Sequence, residues 1–453
     1  MNEGIRVALV SLGCARNLVD SEVLLGHAAQ DGLALVREPR DADVVVINTC
    51  GFIEAAKQES IETILEAVQL KTQGQLKGVI AVGCLAERYA DELAAELTEV
   101  DAVLGISDYS GVPAIVRQIV NGSPRRFVAT VDGGQPKSAR SDVGRVSLTP
   151  SSYAYLRISE GCDHSCTFCA IPAMRGRNRS KPIDVLVEEA TRLAKQGIKE
   201  LVVVAEDSTA YGLDIERRHI LHVLLEQLAT VDGIEWIRLM YAYPHTVKSE
   251  LCAVMRENPK VVPYLDIPIQ HISGPMLKAM KRGTSSQQVR DILWRLRGEV
   301  PGIAVRTTLL VGFPGETDQD FAELRDFVGE YRFERLGAFA YSPEEGTPAF
   351  ELEDVVPEAV AEERRHEIMS LQRSIVVEAN RALVGQEIDV LIDGVDPSRP
   401  SPSDQPTWAG RTTRDAPEVD CAVLFEGADL APGRIVRARI ERAEDYDLYG
   451  RVT

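Results

Sequence analysis

The chain has 453 residues, 69 acidic and 50 basic, for a formal charge of −19 at neutral pH. With 45% hydrophobic and 26% charged residues the composition is globular, which excludes collagenous, disulfide-knot and mostly disordered chains. The length suggests two to four domains at roughly 100–200 residues each, and the acidic balance disfavours broad capture of nucleic-acid phosphates while suiting basic partners. No apolar run approaches the roughly 18 residues of a membrane span. Met1–Arg6 carries an acid and lacks a basic n-region followed by a long apolar segment, so the expectation is a cytoplasmic protein with no membrane partner. Eight cysteines are too few for a disulfide framework in a chain this long, and their placement is the informative feature.

Ile5–Val10, Val44–Ile47, Val79–Val82 and Ala102–Ile106 are short apolar runs, each followed by a helical pattern. That alternation predicts βαβ units and an open parallel sheet. Cys14, Cys50 and Cys84 each stand within a few residues of a predicted strand end, with Gly13, Gly51 and Gly83 beside them. Ligands of open parallel sheets bind beyond the carboxyl ends of the strands, so the three thiols can converge on one edge. Glycines there let the backbone approach a bulky object. A single such cysteine reads as an ordinary buried thiol; three at equivalent turns suit a soft metal centre. No fourth cysteine stands at an equivalent turn, which leaves one site of that centre open to an exogenous ligand.

After a predicted strand at Tyr155–Ile158 comes Cys162-Asp163-His164-Ser165-Cys166-Thr167-Phe168-Cys169, a C-x3-C-x2-C spacing on a loop. These gaps bring three sulfurs close enough to grip one compact cluster. A structural zinc site would need a fourth ligand, either His164 or the distant Cys252. The spacing resembles that of the radical S-adenosylmethionine enzymes. The resemblance implies a [4Fe-4S] cluster on Cys162, Cys166 and Cys169, whose fourth iron binds the amino and carboxylate groups of S-adenosylmethionine, with Phe168 near the adenine. Further strands are predicted at Glu200–Ala205, Trp236–Tyr241, Leu265–Ile269, Ala304–Val311 and Leu336–Tyr341, with helices between them such as Ile183–Lys195, Ile220–Ala229 and Gln287–Arg297. Six βα-type units are too few to close an eight-stranded barrel and predict a partial (βα)6 barrel. Polar residues just past or on its strands are candidate cofactor contacts: Glu206 and Asp207, Gln270 and His271, and Arg306. The basic run Arg175–Arg179 is either a solvated loop or a contact to substrate or cofactor carboxylate.

Pro357 to about Leu383 reads as one long charged helix, followed by β-like runs at Glu387–Ile392, Val419–Phe425 and Val436–Ile440, with an exposed loop at Pro397–Pro406. A small antiparallel β-barrel fits this pattern. Residues 386–453 hold fourteen acids against eight arginines, a net −6. Glu441, Glu444, Asp445 and Asp447 near the end favour a basic protein partner over RNA.

Together the blocks resemble the radical S-adenosylmethionine methylthiotransferases along essentially the whole chain. The likeness rests on Leu12-Gly13-Cys14-Ala15-Arg16-Asn17-Leu18-Val19-Asp20-Ser21-Glu22, Ile158–His164, Asp266–His271, Tyr341–Thr347 and Ala443–Gly450. Within the family the chain is most similar to the branch that modifies an aspartate of small-subunit ribosomal protein twelve. The resemblance implies an N-terminal domain at 1–137, a linker at 138–152, a radical core at 153–383 and a TRAM-like barrel at 384–453. It also implies two [4Fe-4S] clusters, the auxiliary one on Cys14, Cys50 and Cys84. By the same resemblance, S-adenosylmethionine would serve as both radical source and methyl donor, and a separate electron donor would be needed. The 5′-deoxyadenosyl radical would take a hydrogen from the aspartate β-carbon, which offers no acidic proton to a base. A transfer RNA adenosine methylthiotransferase is the alternative within the family, and a non-catalytic iron–sulfur scaffold or electron carrier the alternative outside it. Asp420-Cys421 departs from the family's usual Asp-Gly, and both Cys421 and Cys252 are expected to be structural.

Overall fold

The computed structural model describes residues 4–106, 109–122, 127–128 (backbone), 141–142, 144–399, 406–426 and 429–453. The expected boundary at 137/138 and most of the loop Pro397–Pro406 fall outside them. The chain is α/β and divides into two compact units: residues 1–148 with 160–164 and 169–179, and residues 149–159 with 165–168 and 180–453.

The first unit is built on a six-stranded, wholly parallel sheet. Its strands are β1 (Arg6–Ser11), β2 (Ala34–Leu35), β3 (Val44–Thr49), β4 (Gly78–Gly83), β5 (Ala102–Leu104) and β6 (Phe127–Val128), in the order β2-β1-β3-β4-β5-β6. Every residue of β3 and β4 is buried, as central strands covered on both faces require. Alternate strand side chains go to opposite faces. Val44, Val46, Ile80 and Val82 join one apolar cluster, while Val45, Ile47, Val79 and Ala81 join another. Helices α1 (Ala15–Gln30) and α2 (Glu54–Thr72) follow β1 and β3, and α3 (Cys84–Arg88), α4 (Ala90–Glu96) and α5 (Val112–Val120) come later. The two-residue edge strands β2 and β6 are too short for any periodicity to announce them.

The second unit has an open six-stranded parallel sheet followed by a closed five-stranded barrel. After β7 (Tyr153–Arg157), the short strands β8 (Ser159–Glu160) and β9 (Arg179–Ser180) bracket the cysteine loop and helix α6 (Ile171–Arg175). The sheet continues with β10 (Glu200–Val204), β11 (Trp236–Leu239), β12 (Val261–Asp266), β13 (Ala304–Val311) and β14 (Arg335–Ala340), its order running sequentially from β7 to β14. Strand side chains such as Leu156, Val203, Leu239, Val305 and Ala338 pack with helical Leu186, Leu224, Leu293 and Phe327 in one large core. Strand β12 lies four residues earlier than the apolar pattern suggests. Pro263 inside it reads as a strand breaker. Beyond Asp266 the chain still runs beside β13, with Ile267 N–H bonded to Arg306 O (2.8 Å) and Gln270 N–H to Thr308 O (2.9 Å).

A long helix, Glu358–Arg381, leads into the barrel strands β15 (Glu387–Val395), β16 (Thr407–Arg411), β17 (Val423–Glu426), β18 (Ile435–Glu444) and β19 (Asp447–Val452). The β17–β19 pair is parallel and the other pairs antiparallel. The sequence pattern misses β16 and β19, whose Thr-Trp-Ala-Gly-Arg and Asp-Leu-Tyr-Gly-Arg-Val lack apolar alternation. It also starts β17 too early, because Val419 belongs to a loop that docks on the inner face of the parallel sheet. Asp415 meets Arg335, and Glu418 accepts hydrogen bonds from Tyr153 (3.0 Å) and Tyr155 (3.1 Å). Asp420 accepts one from Tyr264 (2.7 Å) and lies 3.5 Å from Arg306. Glu200 binds Arg238 at 2.6 Å and Arg411 at 2.7 Å. Tyr153, Glu200 and Arg335 are the first residues of their strands, so this loop occupies the amino-terminal end of the sheet. Chemistry is left to the carboxyl end, where parallel barrels place it.

Candidate functional site

Three cysteines of the first unit stand at the carboxyl ends of three adjacent strands. Cys14 follows β1, Cys50 follows β3 and Cys84 follows β4. Strand order reverses between β1 and β3, the switch point at which open α/β sheets bind their ligands. Cys50 and Cys84 are buried and Cys14 is partly exposed. Gly13 has φ +87°, and a Cβ there would sit 2.8 Å from Cys50 Cβ; Gly83 has φ +99°, and a Cβ would lie 2.7 Å from Thr49 O. Both glycines are required by the backbone and by the closeness of the turns.

A buried polar frame holds these turns. Asn17 donates to Leu12 O (2.6 Å) and Thr49 O (3.2 Å), and Asn48 donates to Asn17 O and Ser21 Oγ, both at 2.8 Å. Ser60 Oγ accepts from Cys50 N–H at 2.9 Å, and Thr49 Oγ1 donates to Val82 O at 2.6 Å. None of these residues is conspicuous by type, and only their burial and placement reveal the role.

The thiols sense one another. Burial raises the Cys50 thiol to about 11, and the neighbouring Cys84 and Cys14 add to the rise. Burial also raises Cys84, against the pull of Arg175. Burial works upward on Cys14 too, yet Arg16, Arg175 and the Asn17 N–H outweigh it and leave its net shift downward. Cys14 is also the N-cap of the 16-residue helix α1, where the helix dipole favours a thiolate. Among the described residues no three His, Cys, Asp or Glu side chains are gathered tightly enough to hold a single metal ion. Three thiols around a glycine-lined edge match the donor chemistry of a larger iron–sulfur centre.

The C-x3-C-x2-C loop is shared between the units. In the first, Cys162 N–H bonds Gly176 O (3.0 Å), His164 N–H points at Cys162 Sγ (3.5 Å), and Cys162 and Cys169 pack against the apolar cluster that contains Cys84, Ala170, Ile171 and Met174. In the second, Cys166 Sγ accepts from Arg282 Nη1 at 3.2 Å and lies 3.9 Å from Tyr243 Oη. Thr167 ties the loop to Met280 O and Ala279 O. Phe168 packs against the cluster of Met276, Met280, Phe313 and Ala349, which Tyr341 also borders, an apolar and aromatic wall suited to a flat ring.

The other sequence candidates fall as follows. Glu206 and Asp207 follow β10; Asp207 Oδ1 accepts from the N–H groups of Thr209 and Ala210 and so caps a turn. Gln270 takes φ +69° and Tyr241 φ +60°, two strained residues just beyond the strands, the kind of outlier that collects at functional edges. His271 is fully buried, 3.8 Å from Glu316, and burial pushes it down to about 4, so it is neutral. Arg306 is held by Asp266 (2.9 Å) and Asp420. The Arg175–Arg179 run divides: Arg175 is 1% exposed and bonded within the three-cysteine site, whereas Arg177 is exposed and Arg179 partly buried. Cys252 and Cys421 are both buried away from these groups, Cys252 in the core beneath the parallel sheet and Cys421 in the docking loop. The four terminal acids are each paired, Glu441 with Arg451, Glu444 with Arg442, Asp445 with Arg373 and Asp447 with Arg399. The acidity of this module is therefore partly neutralised at its surface. No helix among the described residues is long and apolar enough to cross a membrane.

Three family profiles match: uncharacterized protein family UPF0004 over residues 6–105, the radical SAM superfamily over 156–328 and the TRAM domain over 384–453. The chain is 48% identical over 447 residues to the ribosomal protein uS12 methylthiotransferase RimO of Anaeromyxobacter sp. (strain K), covering 99% of this chain and 93% of that one. The Myxococcus xanthus protein of the same name is 45% identical over 98% and 91%, and that of Trichlorobacter lovleyi 44% over 98% and 97%. Among solved structures, the radical S-adenosylmethionine methyltransferase TsrM of Kitasatospora setae shares the fold, with a TM-score of 0.58 at 15% identity over 83% of this chain and 90% of that one. The chain therefore belongs to the RimO family of radical S-adenosylmethionine methylthiotransferases.

Proposed function

We propose that the protein methylthiolates the β-carbon of an aspartate in ribosomal protein uS12, using two [4Fe-4S] clusters and S-adenosylmethionine. Cys162, Cys166 and Cys169 would hold the cluster that binds S-adenosylmethionine, and Cys14, Cys50 and Cys84 the auxiliary one. When bound, these groups supply the one-electron chemistry that removes hydrogen from an unactivated carbon and the sulfur and methyl that replace it. The protein's share is positioning, cluster tuning and exclusion of water.

The single observation that carries the reading is the three-thiol edge at the switch point. A radical enzyme that used only the C-x3-C-x2-C loop would not need it. Three ligands from the protein leave one corner of a four-iron cluster open, the vacancy a sulfur-transfer reaction requires. Phe168 and its aromatic wall support the adenine position, and Glu206 stays a candidate for S-adenosylmethionine. Arg306, held by Asp266 and Asp420, likewise stays a candidate cofactor contact.

The test is anaerobic reconstitution with iron and sulfide, then incubation with S-adenosylmethionine, dithionite and a peptide of the uS12 target loop. Mass spectrometry should show one hydrogen of an aspartate replaced by a methylthio group. Cleavage of S-adenosylmethionine without peptide change, followed by modification of an adenosine in transfer RNA, would overturn the substrate. Intact clusters with no cleavage would favour a scaffold or electron carrier.

A further inference from the structure

Arg175 closes helix α6, immediately after the C-x3-C-x2-C loop, yet its side chain ends among the other three cysteines. Nη2 lies 3.3 Å from Cys84 Sγ, 2.8 Å from Asp20 Oδ2 and 3.4 Å from Asn17 Oδ1. Arg175 and Asp20 are 1% and 0% exposed. Such a pair is costly to desolvate before its attraction is counted. An apolar pair of similar volume would hold α6 in place as well, so fixing the helix does not by itself account for a charge here. The geometry is also specific: one guanidinium nitrogen, Nη2, reaches the sulfur and the carboxylate together, so the charge and its counter-charge both sit at Cys84. Arg16 is the other cation acting on these thiols, directed to Cys14.

We infer that Arg175 is a positioning and charge-tuning residue for the auxiliary centre, fixing Cys84 as a ligand and raising the potential at which the centre accepts an electron. The inference rests on the proposal that Cys14, Cys50 and Cys84 hold a cluster. Reduction adds negative charge to an already anionic centre, and a buried cation on one of its sulfurs stabilises the reduced state more than the oxidised one. Asp20 moderates that effect while keeping the fork aimed. Because Arg175 and the cysteines of the radical loop share one short segment, loop placement and auxiliary-centre tuning are set by the same few residues.

The test uses the full-length chain with Cys162, Cys166 and Cys169 replaced by alanine, so that the auxiliary centre alone is reduced, and reads its midpoint potential by a redox titration followed by electron paramagnetic resonance. Arg175→Gln should move the midpoint to more negative potential at unchanged iron content. Arg175→Lys should fall between it and the parent, and Asp20→Asn should move the midpoint the opposite way. A purely structural arginine predicts otherwise: equal midpoints in Arg175→Gln and parent, or shifts of one sign in Arg175→Gln and Asp20→Asn, would overturn the inference. If Arg175→Gln loses iron, the positive shift in Asp20→Asn decides in favour and its absence against. A parent that takes up no iron would overturn the two-cluster reading, and this inference with it.

Discussion

The two cysteine sites are assembled in opposite ways. The C-x3-C-x2-C loop gathers its sulfurs by local spacing within eight residues, whereas Cys14, Cys50 and Cys84 are spread over seventy positions and meet only because a parallel sheet aligns three strand ends. Each site has an arginine on a sulfur, Arg282 on Cys166 and Arg175 on Cys84, and in the second Arg16 also acts on Cys14. Their surroundings differ. Arg175 is backed by a carboxylate, while Arg282 lies on the Tyr243 ring, 4.2 Å from its centroid, and donates to Pro268 O at 2.6 Å. The locally encoded site seats its arginine on an aromatic ring and a backbone carbonyl, whereas the one built from three strand ends seats Arg175 against a carboxylate.

The sharpest way to break the comparison is to delete each set. Replacing Cys162, Cys166 and Cys169 by alanine should abolish S-adenosylmethionine cleavage. Replacing Cys14, Cys50 and Cys84 should leave 5′-deoxyadenosine formation and abolish the methylthio product, both read by mass spectrometry. Asp415→Asn leaves Arg335 buried without its charged partner, and should lower stability by about 3–5 kcal/mol in urea unfolding. Arg335 and Thr412 hold Asp415 below the ordinary carboxylate range against the upward push of burial, and Arg238 and Arg411 do the same for Glu200. Their contribution is therefore complete above the unfolded values, near roughly pH 4, and is lost as pH falls below them. The acid loss of stability should be shallower in Asp415→Asn.

Gly83→Ala places a Cβ against Thr49 at positive φ and should cost about 2–4 kcal/mol, with reduced iron loading at the three-strand site. Arg282→Gln should slow S-adenosylmethionine cleavage roughly 10–100-fold, the usual loss for a residue supporting a ligand. The smallest expected effect is on the terminal barrel. If charge guides the basic substrate, binding should weaken as salt rises. The pairing of Glu441, Glu444, Asp445 and Asp447 with arginines predicts a shallow slope in a titration across ionic strength.

What could be read beforehand follows the same division. Long apolar runs such as β3, β4 and β13 and the spaced cysteines declare themselves by pattern, and so does the βα alternation that brings Cys14, Cys50 and Cys84 to one edge. Arg175 shows in the sequence only as part of a basic run. Nothing local says that it turns inward to Cys84 instead of to solvent, because its partners Asp20 and Asn17 lie more than 150 residues away. The docking loop is hidden for a similar reason. Asp415, Glu418 and Asp420 look like surface acids, and their arginine and tyrosine partners come from four strands of another sheet.

The most direct test of the account is the iron and sulfide content of the reconstituted protein, compared by Mössbauer spectroscopy with the two triple-alanine variants. Two separate centres predict that each variant keeps half of the wild-type iron, all of it as four-iron clusters. Full wild-type iron in the variant lacking Cys14, Cys50 and Cys84 would contradict it, because those three thiols would then hold nothing.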